Sequence, residues 1–302
     1  MMNLDVVFSG ISLKYGDFEA LKDISFSLMP GKIYGLVGRN GAGKTSLLSL
    51  MASFRTPSQG FIKIGGEEPF ENSRVMPQVS FVYDSDYSVE EWSAMGYFEF
   101  AQLYRPDFDL EYAKKLAKRF KLPLDKPINK LSKGMQSSLN AILGLANRSA
   151  LTIFDEVYLG MDAPTREQFY NEVIEEQSRN PRIMILSTHL VSEMEYLFDH
   201  VLILDKGSLI VDGPYDEVVS RGASITGNEV KVDRFVKGMN VLRTQKLGNT
   251  KSATVYGEID EKERMEAQKQ GLEIGSVSLQ DLFIYLTKEE DSYESTNQLH
   301  KR

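Results

Sequence analysis

The sequence predicts an α/β protein, a parallel sheet under helices with an antiparallel β piece at its start, followed by a small α+β domain. Three observations carry that expectation. Short β-type runs punctuate the first part of the chain, at residues 4–8, 33–37, 61–64, 79–83, 150–154, 183–187 and 201–204. Three of them, IYGLV, LTIF and IMILS, are apolar without alternation, which suits strands buried on both faces. Helical patterns lie between the runs, at 45–53, 89–104, 110–120, 135–147, 163–178 and 190–198, and such alternation marks an α/β core. Finally, the pattern changes near residue 220. The net charge is −8, yet residues 221–302 hold 13 Lys/Arg and 13 Asp/Glu, so the whole acidic excess lies upstream.

The later part reads as a short strand, a helix over 229–238, paired strands at 241–246 and 253–259, a helix over 261–270, a strand at 272–277 and a helix over 279–286. That order is a split βαβ pattern, βαββαβ, with one added helix. The last stretch, EEDSYESTNQLHKR, is polar and is expected to fray. The domains predicted are therefore 1–220, 221–288 and a flexible tail, 289–302.

Composition excludes several classes. Hydrophobic residues make 42% of the 302 and charged residues 26%, an ordinary globular balance. With no cysteine there is no disulfide, thiolate nucleophile or Cys-based metal site. An acidic chain lacks the basic footprint of a nucleic-acid binder. No run approaches the ~18–20 apolar residues of a membrane span, and the start, MMNLDVVFSG, lacks the features of a signal peptide. The expectation is a cytosolic protein.

Gly38-Arg39-Asn40-Gly41-Ala42-Gly43-Lys44-Thr45 matches G-x-x-x-x-G-K-[ST] in full. A predicted strand enters it and a predicted helix, beginning Thr45-Ser46, leaves it. The chemistry explains each residue type. Glycines let successive backbone N–H groups turn inward around phosphate oxygens. The helix places its positive end under the same anion. Lys44 reaches the β- and γ-phosphates, and the Thr45 hydroxyl ligates Mg²⁺.

Downstream, the apolar run Ala150-Leu151-Thr152-Ile153-Phe154 ends in Asp155 and Glu156. Alone, such a pair would read as solvated acids at a strand end. After a phosphate loop, Asp155 reads as a holder of Mg²⁺ through water, and Glu156 as the base that polarises an attacking water.

Leu131-Ser132-Lys133-Gly134-Met135, just before a predicted helix, resembles the signature motif of ABC-type ATPases, usually LSGGQ. Lys133 and Met135 depart from it, while the Ser and the second Gly are kept. Other residues resemble the same family in the same order. Lys14-Tyr15-Gly16 resembles the aromatic loop whose Tyr stacks on adenine. Gly160-Met161-Asp162 resembles the D-loop, and Ser187-Thr188-His189 the switch-histidine loop. The resemblance covers about the first 220 residues. It implies an ABC-type P-loop ATPase fold, with a parallel sheet core, an antiparallel β subdomain and a helical subdomain. It implies ATP and Mg²⁺ as ligands, with Lys44, Glu156 and His189 catalytic. Nucleotide contacts then fall to Tyr15, the phosphate loop through Ser46, Ser132, Gly134 and Asp162. It further implies a dimer, in which the phosphate loop of one subunit and the signature of the other sandwich one ATP. The partners are a second ABC ATPase subunit and a separate transmembrane permease, with the chain peripheral on the inner face of the membrane.

Two further positions depart from the family, and Val157, where Pro usually follows the acidic pair, is the milder. Aligning Val79-Ser80-Phe81-Val82-Tyr83 to the strand that normally ends in Gln puts Asp84 in the Gln position, a charged, shorter group that can still bind Mg²⁺ through oxygen. Nine aromatics crowd residues 81–108, and the resemblance places the permease-docking groove in this region; Tyr87, Trp92 and Tyr97 are expected to contribute. The C-terminal 80 or so residues resemble the tail of ATPases paired with ABC-2-type permeases. The phrase DEVYLGMDAPTR is similar to a branch that includes acetoin-uptake ATPases and antimicrobial and toxin-peptide exporter ATPases.

Overall fold

Alternating and continuous apolar runs are sorted into separate sheets. The computed structural model describes residues 4–288; the predicted tail, 289–302, lies outside the described residues. The chain begins with β1 (Val6–Tyr15), β2 (Phe18–Leu28), β3 (Ile33–Gly38), α1 (Lys44–Met51) and β4 (Gln59–Ile64). Strands β1, β2 and β4 form a three-stranded antiparallel sheet in the order β2-β1-β4. Phe8 faces Phe26 across β1 and β2, their rings stacked at 4.4 Å, the kind of cross-strand pair that fixes register.

After a 3-10 turn at Met76–Gln78 come β5 (Val79–Tyr83), α2 (Ala94–Tyr104), α3 (Leu110–Arg119), α4 (Lys133–Ala146), β6 (Leu151–Asp155), α5 (Ala163–Arg179) and β7 (Ile183–Thr188). A four-residue helix α6 (Val191–Met194) and a 3-10 turn precede β8 (His200–Asp205) and β9 (Ser208–Pro214). The second sheet runs β5-β6-β7-β3-β8-β9. Every residue of β3, β6 and β7 is buried, and the parallel pairs β5–β6, β6–β7, β7–β3 and β3–β8 explain why IYGLV, LTIF and IMILS carry no alternation.

Helix starts follow their caps. Ser93 accepts the Gly96 N–H at 3.1 Å, so α2 begins at Ala94 and the helical pattern read from residue 89 is shortened. Asp109 accepts the Tyr112 N–H at 2.8 Å and opens α3. There, buried Tyr112, Ala113, Leu116 and Ala117 give one apolar stripe. The pattern at 190–198 breaks into α6 and the following 3-10 turn.

A buried charged node ties α4, α5 and β6 together. Arg182, 3% exposed, donates to Leu145 O at the end of α4, to Thr152 Oγ1 on β6 and to Glu176 Oε1 on α5, at 3.1, 3.1 and 3.2 Å. Glu176 also accepts from Arg148 and Asn180. Burial lowers the Arg182 pKa, opposed by the Glu176 charge.

The chain continues with α7 (Tyr215–Ser220), β10 (Gly222–Asn228), α8 (Glu229–Phe235), β11 (Val241–Leu247), β12 (Thr250–Tyr256), α9 (Glu261–Lys269), β13 (Glu273–Ser276) and α10 (Leu279–Leu286). Strands β10 to β13 make an antiparallel sheet in the order β11-β12-β10-β13. This is the βαββαβ order read from the sequence, with α10 appended. Ala223, Ile225, Val232, Val236, Ala253, Val255, Ala267 and Leu272 form its core.

The described chain divides into two compact units. One holds residues 4–189 and 196–212; the other holds 190–195 and 213–288. The sequence break at 220 falls within the second. Among the described residues, no helix is long and apolar enough to cross a membrane.

Candidate functional site

Strand β3 delivers the glycine-rich loop to the start of α1. Gly41 and Gly43 have φ of 82° and 109°, a region that side chains rarely adopt. A Cβ on Gly43 would come within 3.0 Å of Ala20 O. The N-cap of α1 is Gly43, which has no side chain to cap it, so its first N–H groups are suited to an anion.

Lys44 is 6% exposed. Its Nζ donates to Gly38 O at 2.7 Å and to Arg39 O at 3.3 Å, and lies 3.4 Å from Glu156 Oε1. Thr45 Oγ1 donates to Asp155 Oδ2 at 2.8 Å. Asp155 ends β6 and is 8% exposed. These bonds join residues 110 positions apart, bringing the phosphate loop onto the acidic strand end. His189, following β7, puts Nδ1 2.9 Å from Glu156 Oε1. A carboxylate only accepts, so Nδ1 carries the proton of this bond. Glu156 has φ of 52° although it is not glycine, a strained conformation of the sort retained at functional positions.

A cleft of about 850 Å³ opens over this cluster. Arg39, Asn40, Gly41, Gly43, Lys44, Thr45 and Ser46 line it, with Asp84, Asp155 and Glu156. Phe18, Phe54, Phe81 and Tyr83 supply apolar wall. Of the remaining loop residues, Gly38 accepts from Lys44 and Ala42 is buried.

Thr45 and Asp155 are a hydrogen-bonded pair of hard oxygens, which fits Mg²⁺. Asp84 lines the same cleft, but its carboxylate is engaged by Lys133 Nζ in an ion pair. Among the described residues, no three His, Asp or Glu side chains are grouped as a metal cage.

Tyr15 does not line the cleft. Its hydroxyl donates to Ser46 Oγ at 3.3 Å, and the Arg55 guanidinium lies 4.5 Å from its ring centroid. Phe18, 64% exposed, is the aromatic of this loop that faces the cleft. Only its place two residues after the Tyr15-Gly16 turn could have flagged it in the sequence.

The signature residues also stand outside the cleft lining. Ser132 caps α4, accepting the Met135 N–H at 3.3 Å. Asp162 caps α5, accepting the Thr165 N–H at 3.0 Å, and the bonds from Thr165 hold its carboxyl below the usual range. Gly134 and Gly160 bring their loops together: a Cβ on Gly134 would lie 2.8 Å from Gly160 O, and one on Gly160 would lie 2.3 Å from Ser137 Oγ.

The aromatic stripe divides by burial. Phe98 and Phe108 are core, while Trp92, Phe100 and Tyr104 are exposed. Tyr97 meets Tyr87 and Trp92 edge-on, each at 6.2 Å. Tyr87 donates to Asn140 Oδ1 and Tyr97 to Glu90 Oε2, at 2.5 and 2.7 Å. Burial, and then the Glu90 bond, raise the Tyr97 pKa.

Comparison with known proteins agrees with this geometry. The sequence profile described as "ABC transporter" matches residues 21–158. The chain is 28% identical over 191 residues to the ABC transporter ATP-binding protein YtrB of Bacillus subtilis, a match covering 63% of this chain and 65% of that protein. It is 30% identical over 220 residues to the Nod factor export ATP-binding protein I of Burkholderia orbicola, covering 68% and 69% respectively. A solved structure titled "Structure of ATP binding subunit of ABC transporter" superposes with a TM-score of 0.65 at 23% identity, over 70% of this chain and 91% of that one; at that identity the likeness speaks for the fold. With a phosphate loop and an acidic strand end lining one cleft, and His189 in contact with Glu156, the chain belongs to the ABC transporter ATP-binding protein family.

Proposed function

We propose that this chain is the ATP-hydrolysing subunit of an exporter, working as a dimer around two ATP molecules and driving a separate membrane permease. The observation that carries the reading is the contact of Lys44, Glu156 and His189 beside the Thr45–Asp155 pair. In this reading the backbone N–H groups from Gly38 to Thr45 cradle the phosphates. Lys44 exchanges its carbonyl acceptors for β- and γ-phosphate oxygens. Glu156 accepts the proton of an in-line water, and His189 orients that carboxylate and the γ-phosphate. Thr45 and Asp155 would hold Mg²⁺, with Asp84 nearby, and the bound ion would neutralise phosphate charge. Tyr15 or Phe18 supports the adenine by stacking.

Ser132, Gly134 and Asp162 lie outside this chain's own cleft lining, which supports their serving a partner's ATP. A two-fold dimer completes both sites at once, because each surface meets its reciprocal. Trp92, Tyr97 and Tyr87, joined edge-on and partly exposed, suit a permease contact. In this reading the chain works on the inner face of the membrane. The printed name of one relative, Nod factor export ATP-binding protein I, supports the outward direction; cargo is a property of the permease.

Glu156→Gln tests the reading. It keeps the shape and removes the base, so turnover falls by about 10²–10⁴ while ATP still binds, and size exclusion with Mg–ATP gives a dimer. A monomer with undiminished hydrolysis would overturn it. The Asp84–Lys133 ion pair favours one alternative, a subunit that binds ATP with little turnover. Phosphate release by the wild-type chain separates the two.

A further inference from the structure

Helix α4 holds the segment that follows β5 by three side-chain bonds. Asn140, 3% exposed, donates from Nδ2 to Tyr83 O at 3.1 Å and accepts the Tyr87 hydroxyl at 2.5 Å. Lys133, the first residue of α4, pairs its ammonium with the Asp84 carboxylate between those two anchors. Positions 133 and 140 lie two turns apart on one helix face. A buried amide thus fixes the flanks of the segment, and an exposed ion pair fixes its middle.

Asp84 stands at a boundary. With Tyr83 it lines the nucleotide cleft, which Lys133 does not. Lys133 reaches it from a neighbouring polar pocket of about 360 Å³, which Asp84 also lines.

The charges of the cleft explain why that matters. Its lining holds three carboxylates, Asp84, Asp155 and Glu156. Asp155 accepts from Thr45, and Glu156 faces the Lys44 ammonium. A nucleoside triphosphate brings several more negative charges to the same space. An Asp84 without a counter-charge would repel it, by an amount that water and salt screen but do not abolish. The two sequence departures noted above therefore offset each other. Asp84 adds a negative charge where a neutral Gln is usual, and Lys133 returns a positive one where Gly is usual.

We propose that Lys133 is a positioning residue for nucleotide binding. Its ammonium holds and neutralises Asp84, so that the cleft accepts the phosphates of a nucleoside triphosphate. The inference rests on the ATP-binding reading above. It gives Lys133 a role in its own chain's cleft without contact with nucleotide.

The test measures Kd of the full chain for ATP in EDTA, where no turnover intervenes. Lys133 and Asp84 are both exposed, so substitutions there leave a folded protein. Lys133→Ala should raise Kd about fivefold in about 50 mM salt, and less than about twofold in about 0.5 M salt. Lys133→Arg keeps the charge and should bind within about twofold of wild type. Asp84→Asn should bind at least as tightly as wild type. In that background Lys133→Ala should cost less than about twofold, as expected of a residue that acts through its partner. An equal cost in both backgrounds would make Lys133 a direct phosphate contact and overturn the inference. So would an unchanged Kd in Lys133→Ala, or a loss that salt leaves intact. Tighter binding by Lys133→Ala than by wild type once Mg²⁺ is added would mean that the pair withholds Asp84 from the metal, and would overturn it too. A wild-type chain without affinity for ATP overturns the ATP-binding reading and this inference with it; a wild-type chain that binds ATP regardless of Lys133 overturns this inference alone.

Discussion

The two halves of the nucleotide machinery are built differently. On the phosphate-loop side, Lys44, Thr45, Asp155, Glu156 and His189 are bonded to one another across 2.8–3.4 Å. On the signature side, Ser132 and Asp162 direct their side chains to backbone N–H groups of their own helices, and neither lines the cleft. The first half is organised for chemistry within one chain. The second is a pair of helix starts, each capped by a side chain of its own segment. The difference supports the proposed reading, in which a single copy holds two half-sites that do not meet.

Four experiments break or sharpen that contrast. Lys44→Ala removes the ammonium from the bonded cluster, and turnover should fall about 10³-fold with weakened ATP binding, read by phosphate release and equilibrium binding. If the half-sites act in trans, mixing Lys44→Ala chains with Ser132→Arg chains rebuilds one intact site per mixed dimer. The mixture should recover about a quarter of the wild-type rate where each variant alone is inactive; no recovery would place both halves in one chain. The node that ties α4 to β6 is tested by Glu176→Ala, which strands Arg182 without its buried partner. A loss of about 3–5 kcal/mol, seen as a Tm lower by roughly 5–10 °C in a thermal melt, is expected. Smallest is the adenine contact. Phe18→Ala should raise KM for ATP about tenfold if Phe18 is the stacking ring, with Tyr15→Ala changing it less than about threefold; the reverse order would restore Tyr15 to that role.

Much of this was legible because it is local. The phosphate loop, the acidic strand end and the βαββαβ order each reside in contiguous spacing. The three buried strands announced themselves by apolar runs without alternation. What escaped is relational. Nothing in the sequence pairs Lys133 with Asp84, 49 positions apart, or turns Phe18 toward the cleft in place of Tyr15. Strand β9 was missed because its turn, Lys206-Gly207, is short, and both residues have positive φ, 48° and 84°, the geometry of a tight hairpin. The extended reading of α2 failed at a single serine, Ser93, whose cap overrides the apolar pattern before it. Fragmentation of 190–198 has a different cause: half of that segment is completed by residues almost 90 positions away.

The contact between Gly134 and Gly160 has a consequence for timing. Gly134 packs against the Gly160 carbonyl there, and Gly160 against Ser137 Oγ and the Lys133 carbonyl, which leaves little room for either backbone to move alone. The loop beginning at Glu156 and the start of α4 must shift in step. In the dimer proposed above, a displacement of the acidic strand end would reach the surface that faces the neighbouring copy, and two copies so built would be geared to each other through this pair of glycines.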